Sequence, residues 1–160
     1  MLNKTFSPIH THLEIFFSEL EHFLSIAIAI TKHVITAHNK NTIIQFLNTQ
    51  TICWDTQFPI KKNNITLKTN TDTELLKNYQ SPEQRGEINV DIDYRSDLYS
   101  LGIIFHEMLT LSLPTYSQES GIELDFSSNQ TIPKTITLII QKLLFTCPDH
   151  RYQTATGLLL

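Results

Sequence analysis

Between Arg95 and Thr110 the residues Leu98, Tyr99, Leu101, Ile103, Ile104, Phe105, Met108 and Leu109 leave a helix no polar side to turn to water. A helix apolar on nearly every face can only run through the middle of a domain. This segment is therefore the expected central strut, with the rest of the chain wrapped around it. At 160 residues the chain is long enough for one such core and too short for two.

The wrapping reads as mostly helical. From Glu19 to about His38, apolar residues from Leu20 to Ile35 recur at helical spacing, and Asn39-Lys40-Asn41 reads as the stop, with Asn suited to a left-handed cap. Between Asn41 and Lys68 the pieces TIIQFL, TICW and PIKKNNITLK read as small strands or loops, and Thr69 to Tyr79 as polar and irregular. Leu111 to Gln130 is loop-like. A helix is then expected near Pro133 with Thr131 as N-cap, carrying the stripe Ile136, Ile139, Ile140, Leu143, Leu144 and Cys147, with Pro148 ending it. A short final helix starts near Tyr152 and is cut off at Leu160. The class is mainly α with minor β. Residues 1–18 are expected to be loosely structured and 19–160 to form the domain.

Charge and composition narrow the partners. The net charge is −4 with no basic block, which argues against nucleic acid. The four glycines, Gly86, Gly102, Gly121 and Gly157, are scattered, so no glycine-rich phosphate cradle can form. Cys53 and Cys147 have no metal-ligand spacing and read as reduced thiols. No signal-like run opens the chain, and the apolar stretch around Ser25 to Ile30 falls short of a membrane span. The expected place is the cytoplasm, with no membrane partner.

Three short segments stand in a telling order: Tyr79-Gln80-Ser81-Pro82-Glu83-Gln84, then Asp93-Tyr94-Arg95-Ser96-Asp97-Leu98-Tyr99-Ser100-Leu101-Gly102, then Pro148-Asp149-His150-Arg151-Tyr152. With the helix containing Phe23 to Ile28 before them, they resemble the C-terminal lobe of the serine/threonine protein kinase family. The likeness is greatest to the kinase-like domains of large bacterial multi-domain sensor proteins. The resemblance implies a kinase-like C-terminal lobe over 19–160, without the N-terminal lobe and truncated in its last helix. It implies that Glu83 pairs with Arg151, and that Asp97 accepts backbone N–H groups from the loop that holds a kinase's catalytic residues.

Phosphoryl transfer needs a nucleotide clamp, metal ligands and a group that orients the substrate hydroxyl. Aligned on Ile52 and Trp54, the resemblance places Ile44 at the catalytic-loop histidine, Phe46 at the catalytic aspartate and Thr51 at the metal-binding asparagine. It places Asn64, in Asn64-Ile65-Thr66, at the metal-binding aspartate. A phenyl ring accepts no proton, a lone hydroxyl or amide is a poor partner for Mg²⁺, and Thr56 to Thr71 contains no Asp or Glu. Asn48 reads as a loop-shaping residue. His10 and His12 read as solvated polar residues, and His106 and Glu107 as hydrogen-bonded packing groups. No catalytic residue, cofactor site or metal site is therefore expected to be intact. The expected function is that of an inactive pseudokinase lobe, a binding or scaffolding module in signalling or a fragment of a larger kinase-like protein, with a protein partner or further domains. The alternative is an active kinase using ATP and Mg²⁺ with an N-terminal lobe supplied by another chain. An unrelated helical domain would lack a buried 95–110 helix flanked by a Glu83–Arg151 contact.

Overall fold

The computed structural model describes residues 6–55, 65–67, 73–117 and 121–159. Its axis is the helix α4 (Tyr94–Thr110), in which every residue from Ser96 to Thr110 is buried. The Asp93 carboxylate caps its start by accepting the Arg95 N–H at 2.8 Å, and Leu111 ends it in the left-handed region at φ 61°.

Helix α2 (Leu20–His38) lies against α4 through the stripe Phe23, Ile26, Ala27, Ile30, Thr31 and Val34. Its Phe23 ring meets Phe105 of α4 edge to face, at 5.8 Å between centroids. By length and composition α2 could cross a bilayer, which the reading of a short apolar stretch had not anticipated. In this fold its buried stripe serves as a core-helix face instead. It ends at Asn39, and Asn41 takes the left-handed turn at φ 54°.

On the other side of α4 packs α5 (Lys134–Leu143), which buries Ile140 and Leu143. Gly102 makes this contact possible. A Cβ at that position would lie 2.7 Å from Leu144 Cγ and 3.0 Å from Leu143 Cβ, so the end of α5 rests directly on the α4 backbone. A 3₁₀ turn at Pro148–His150 then leads to α6 (Ala155–Leu158), which packs on α2 and is capped by the Thr154 hydroxyl accepting the Gly157 N–H.

The β structure is small. Strands β1 (Phe6–Pro8), β2 (Ile52–Asp55) and β3 (Ile65–Leu67) form an antiparallel sheet in that order, with Ser7 opposite Trp54 and Cys53 opposite Thr66. Strands β4 (Thr115–Ser117) and β5 (Gly121–Glu123) form a hairpin. The mainly α class with minor β is what the molecule has.

Several local expectations are corrected. Residues 6–18 are not loose: β1 pairs with β2, Ile9 is fully buried in the 3₁₀ turn Ile9–His12, and α1 (Leu13–Ser18) packs on α4. Strand pairing supplies this order, and a three-residue segment shows no periodicity that could reveal it. Of the pieces read as small strands or loops, TIIQFL is a loop, with the amides of Ile44 and Gln45 turned toward α4. The stretch after Thr69 contains α3 (Thr73–Lys77), and the loop after Leu111 contains the β4–β5 hairpin. Thr131 is not the cap of α5; its hydroxyl donates to Asn129 Oδ1 at 2.6 Å, and Pro133 occupies the cap position. Helix α5 is over by Leu143, before Pro148, which leaves Cys147 exposed. The last helix lies at Ala155, not Tyr152.

Candidate functional site

The segment Ile44–Thr51 joins the end of α2 to β2 and is held from three directions. Asp97, fully buried on the first turn of α4, accepts the Ile44 N–H on Oδ2 and the Gln45 N–H on Oδ1, each at 2.9 Å. A carboxylate at a helix start is also favoured by the helix dipole. His38, in the last turn of α2, donates from Nε2 to Asp97 Oδ2 at 2.9 Å. Gln45 turns left-handed at φ 62° where the two amides converge on the carboxylate.

Within the loop the organiser is Asn48, which is fully buried. Its Oδ1 accepts the N–H groups of Gln50 and Thr51 at 2.8 and 2.9 Å, and its Nδ2 donates to the Phe46 carbonyl. Behind the loop, Tyr79 donates its hydroxyl to Glu107 Oε2 at 2.5 Å and meets the Thr49 hydroxyl at 3.0 Å. Burial pushes the Tyr79 phenol up, and neighbouring Glu107 pushes it further. Burial likewise raises the Glu107 carboxyl, against the opposing hydrogen bonds from Tyr79 and Thr49. His106 beside it is buried, with Nδ1–H donating to the Ser112 carbonyl at 3.0 Å, and burial lowers its pKa.

Glu83 and Arg151 meet in a buried bidentate pair, Nη1 to Oε1 at 2.7 Å and Nη2 to Oε2 at 2.8 Å. Ser96 donates its hydroxyl to Glu83 Oε1 at 2.7 Å. Burial would raise the Glu83 carboxyl, but Arg151 and Ser96 outweigh it and hold it at about 2, against an ordinary 4.5. The pair ties the turn after α3 to the segment before α6.

Phe46 is half exposed and borders a cleft of about 430 Å³, lined also by Ala37, Ile43, Ile44, Thr51 and Leu67. Thr42 completes the lining, so among the described residues no charged side chain lines it. The Thr51 hydroxyl is spent inside the loop, donating to the Phe46 carbonyl at 2.9 Å and accepting the Asn48 N–H at 3.1 Å. Asn64 lies outside the described residues. Among the described residues no three of His, Cys, Asp and Glu come together as metal ligands. This wall offers, among the described residues, an uncharged surface on a loop held by Asp97 and Asn48.

His10 and His12 lie together in the 3₁₀ turn Ile9–His12. His10 is exposed, with its N–H donating to the Thr49 carbonyl, and the His12 ring meets Trp54 edge-on at 5.7 Å. The sequence reading missed His38, Thr49, Tyr79 and Ser96 as members of these networks. Only His38 carried a signal, as a cationic-capable residue in the last turn of a helix. The others are partners made by folding.

No family model matches the chain. It is 42% identical over 91 residues to the hybrid signal transduction histidine kinase G of Dictyostelium discoideum, which covers 50% of this chain and 3% of that protein. It is 30% identical over 153 residues to a probable serine/threonine-protein kinase of Clostridium perfringens, covering 82% of this chain and 22% of the relative. The chain thus spans less than a quarter of the length of these relatives. Its backbone superposes on the kinase domain of Mycobacterium tuberculosis PknI, crystallised as a double mutant, with a TM-score of 0.71 at 17% identity. That match covers 97% of this chain and 60% of the other, a likeness of fold.

Proposed function

We propose, starting from the protein-kinase-like fold that this chain has, that it works as a catalytically inactive lobe: a binding or scaffolding module within a signalling protein. One observation carries the reading. The loop that in an active kinase would present an acid to the substrate is held here by Asp97, yet it presents Phe46 beside a cleft whose described lining is uncharged. General base assistance typically contributes about 10²–10⁴ in rate, and no lining group among the described residues can provide it. ATP and Mg²⁺ are accordingly not cofactors of this lobe. The relatives that carry similar segments are much longer proteins, which supports a role as one domain among several.

A ligand that binds only the folded form raises the melting temperature. With millimolar Mg²⁺–ATP the expected melting curve of this chain is unchanged. A saturable upward shift, or labelling of the protein by γ-labelled ATP once a kinase N-terminal lobe is added in trans, would overturn the inactive reading in favour of phosphotransfer.

A further inference from the structure

Helix α2 buries one stripe against α4 and leaves another in water. On that outer side Leu24 is 36% exposed and Ile28 42%. Both line an apolar groove of about 90 Å³, together with Ile136 and Ile139 of α5 and Leu158 of α6. The hydroxyl that α2 contributes to the lining, that of Thr31, is already spent on the Ala27 carbonyl at 2.8 Å. Aliphatic side chains are what this face can best receive.

A charge stands at each end of the aliphatic pair. Glu21 lies one turn before Leu24 and Lys32 one turn after Ile28, and both are exposed. Spacings of three and four residues keep all four side chains on one helix face. Among the described residues neither Glu21 nor Lys32 is in an ion pair, so both charges are available to a partner. Along α2 the face runs acid, aliphatic, aliphatic, base. Read backwards, it is the complement of itself.

We infer that a second copy of the chain covers this face, its α2 antiparallel to the first about a two-fold axis level with Ile26 and Ala27. Leu24 of each copy then lies against Ile28 of the other beside the groove, and each Glu21 meets the other copy's Lys32. The contact is isologous and closes as a dimer. A parallel arrangement would set Glu21 against Glu21 and Lys32 against Lys32, so the charges select the antiparallel one. The contact uses neither Phe46 nor its cleft and stands independently of whether the chain transfers phosphate.

Sedimentation equilibrium of the whole chain, from about 1 µM to about 1 mM, tests it. The expected result is a concentration-dependent dimer. Glu21→Lys and Lys32→Glu each place like charges at both ends of the contact and should weaken it about tenfold. An equimolar mixture of the two variants should associate again, because one then presents two cations and the other two carboxylates. A variant that had merely lost its fold would gain nothing from the mixing. Ile28→Ser should also weaken the dimer, by removing an aliphatic group from its centre. A monomer at every concentration would overturn the proposal and leave the groove to a different protein. So would a dimer indifferent to these substitutions, or two charge variants that fail to associate when mixed.

Discussion

Arg151 has five N–H donors, and the fold gives each an acceptor. Two go to the Glu83 carboxylate, and the other three to the carbonyls of Phe145, Arg95 and Thr146. Its guanidinium also lies over the Tyr99 ring at 4.9 Å. Arg151→Met strands a buried carboxylate and should cost about 3–5 kcal/mol in urea denaturation. Arg151→Lys keeps the charge but has only three donors and no planar fork, so it should recover only part of that loss. The acid limb of stability has a defined sign. Glu83 is held at about 2 in the folded protein against an ordinary 4.5, so its contribution is complete above about 4.5 and is lost as the pH falls toward about 2. Glu107 acts in the opposite sense. Its carboxyl is raised by burial, so the folded form binds the proton more tightly and stability declines as the pH rises through that raised value. Glu107→Gln keeps an acceptor for Tyr79 and removes the buried charge. It should flatten that decline and stabilise the protein at neutral pH by about 1 kcal/mol, read from melting curves across pH.

Among the elements, α4 was legible from the sequence, because an all-round apolar helix has one place to go. Its partner contacts were less so. In the sequence Gly102 is one of four scattered glycines, yet it is where the end of α5 meets the α4 backbone. Gly102→Ala drives a methyl to 2.7 Å from Leu144 Cγ and should cost about 1–3 kcal/mol, despite alanine's better helix propensity. A stability gain on that substitution would mean that α5 does not pack so closely. Helix α3 and the β4–β5 hairpin escaped the reading because elements of three to five residues carry too few side chains to show a period. The β1 strand escaped it because its partner lies more than forty residues away, at Ile52–Asp55.

At the scale of the whole molecule, the loop between α2 and β2 is the convergence point. It is tied to α4 through Asp97, which also binds His38 of α2, and to Tyr79 through Thr49. Asp97→Ala would free two amides and His38 together. It should loosen the loop before the core, visible as faster amide exchange at Ile44 and Gln45 with a smaller change in global stability than Arg151→Met causes. Equal protection of those amides in the variant would show that the loop is held by other means. The same frame keeps Phe46 at the lip of a cleft whose described lining carries no charge.

Residue identity and order alone determined the buried axis, the mainly helical class and the kind of side chain available at each loop position. Those follow from periodicity and from what a phenyl, a hydroxyl or a carboxylate can do. Tertiary structure decided which groups meet. The five-donor satisfaction of Arg151, the gathering of two amides and an imidazole on Asp97, and the Tyr79–Glu107 bond all join residues distant in sequence. Burial then sets their energies, because a polar group removed from water must find its partner within the fold.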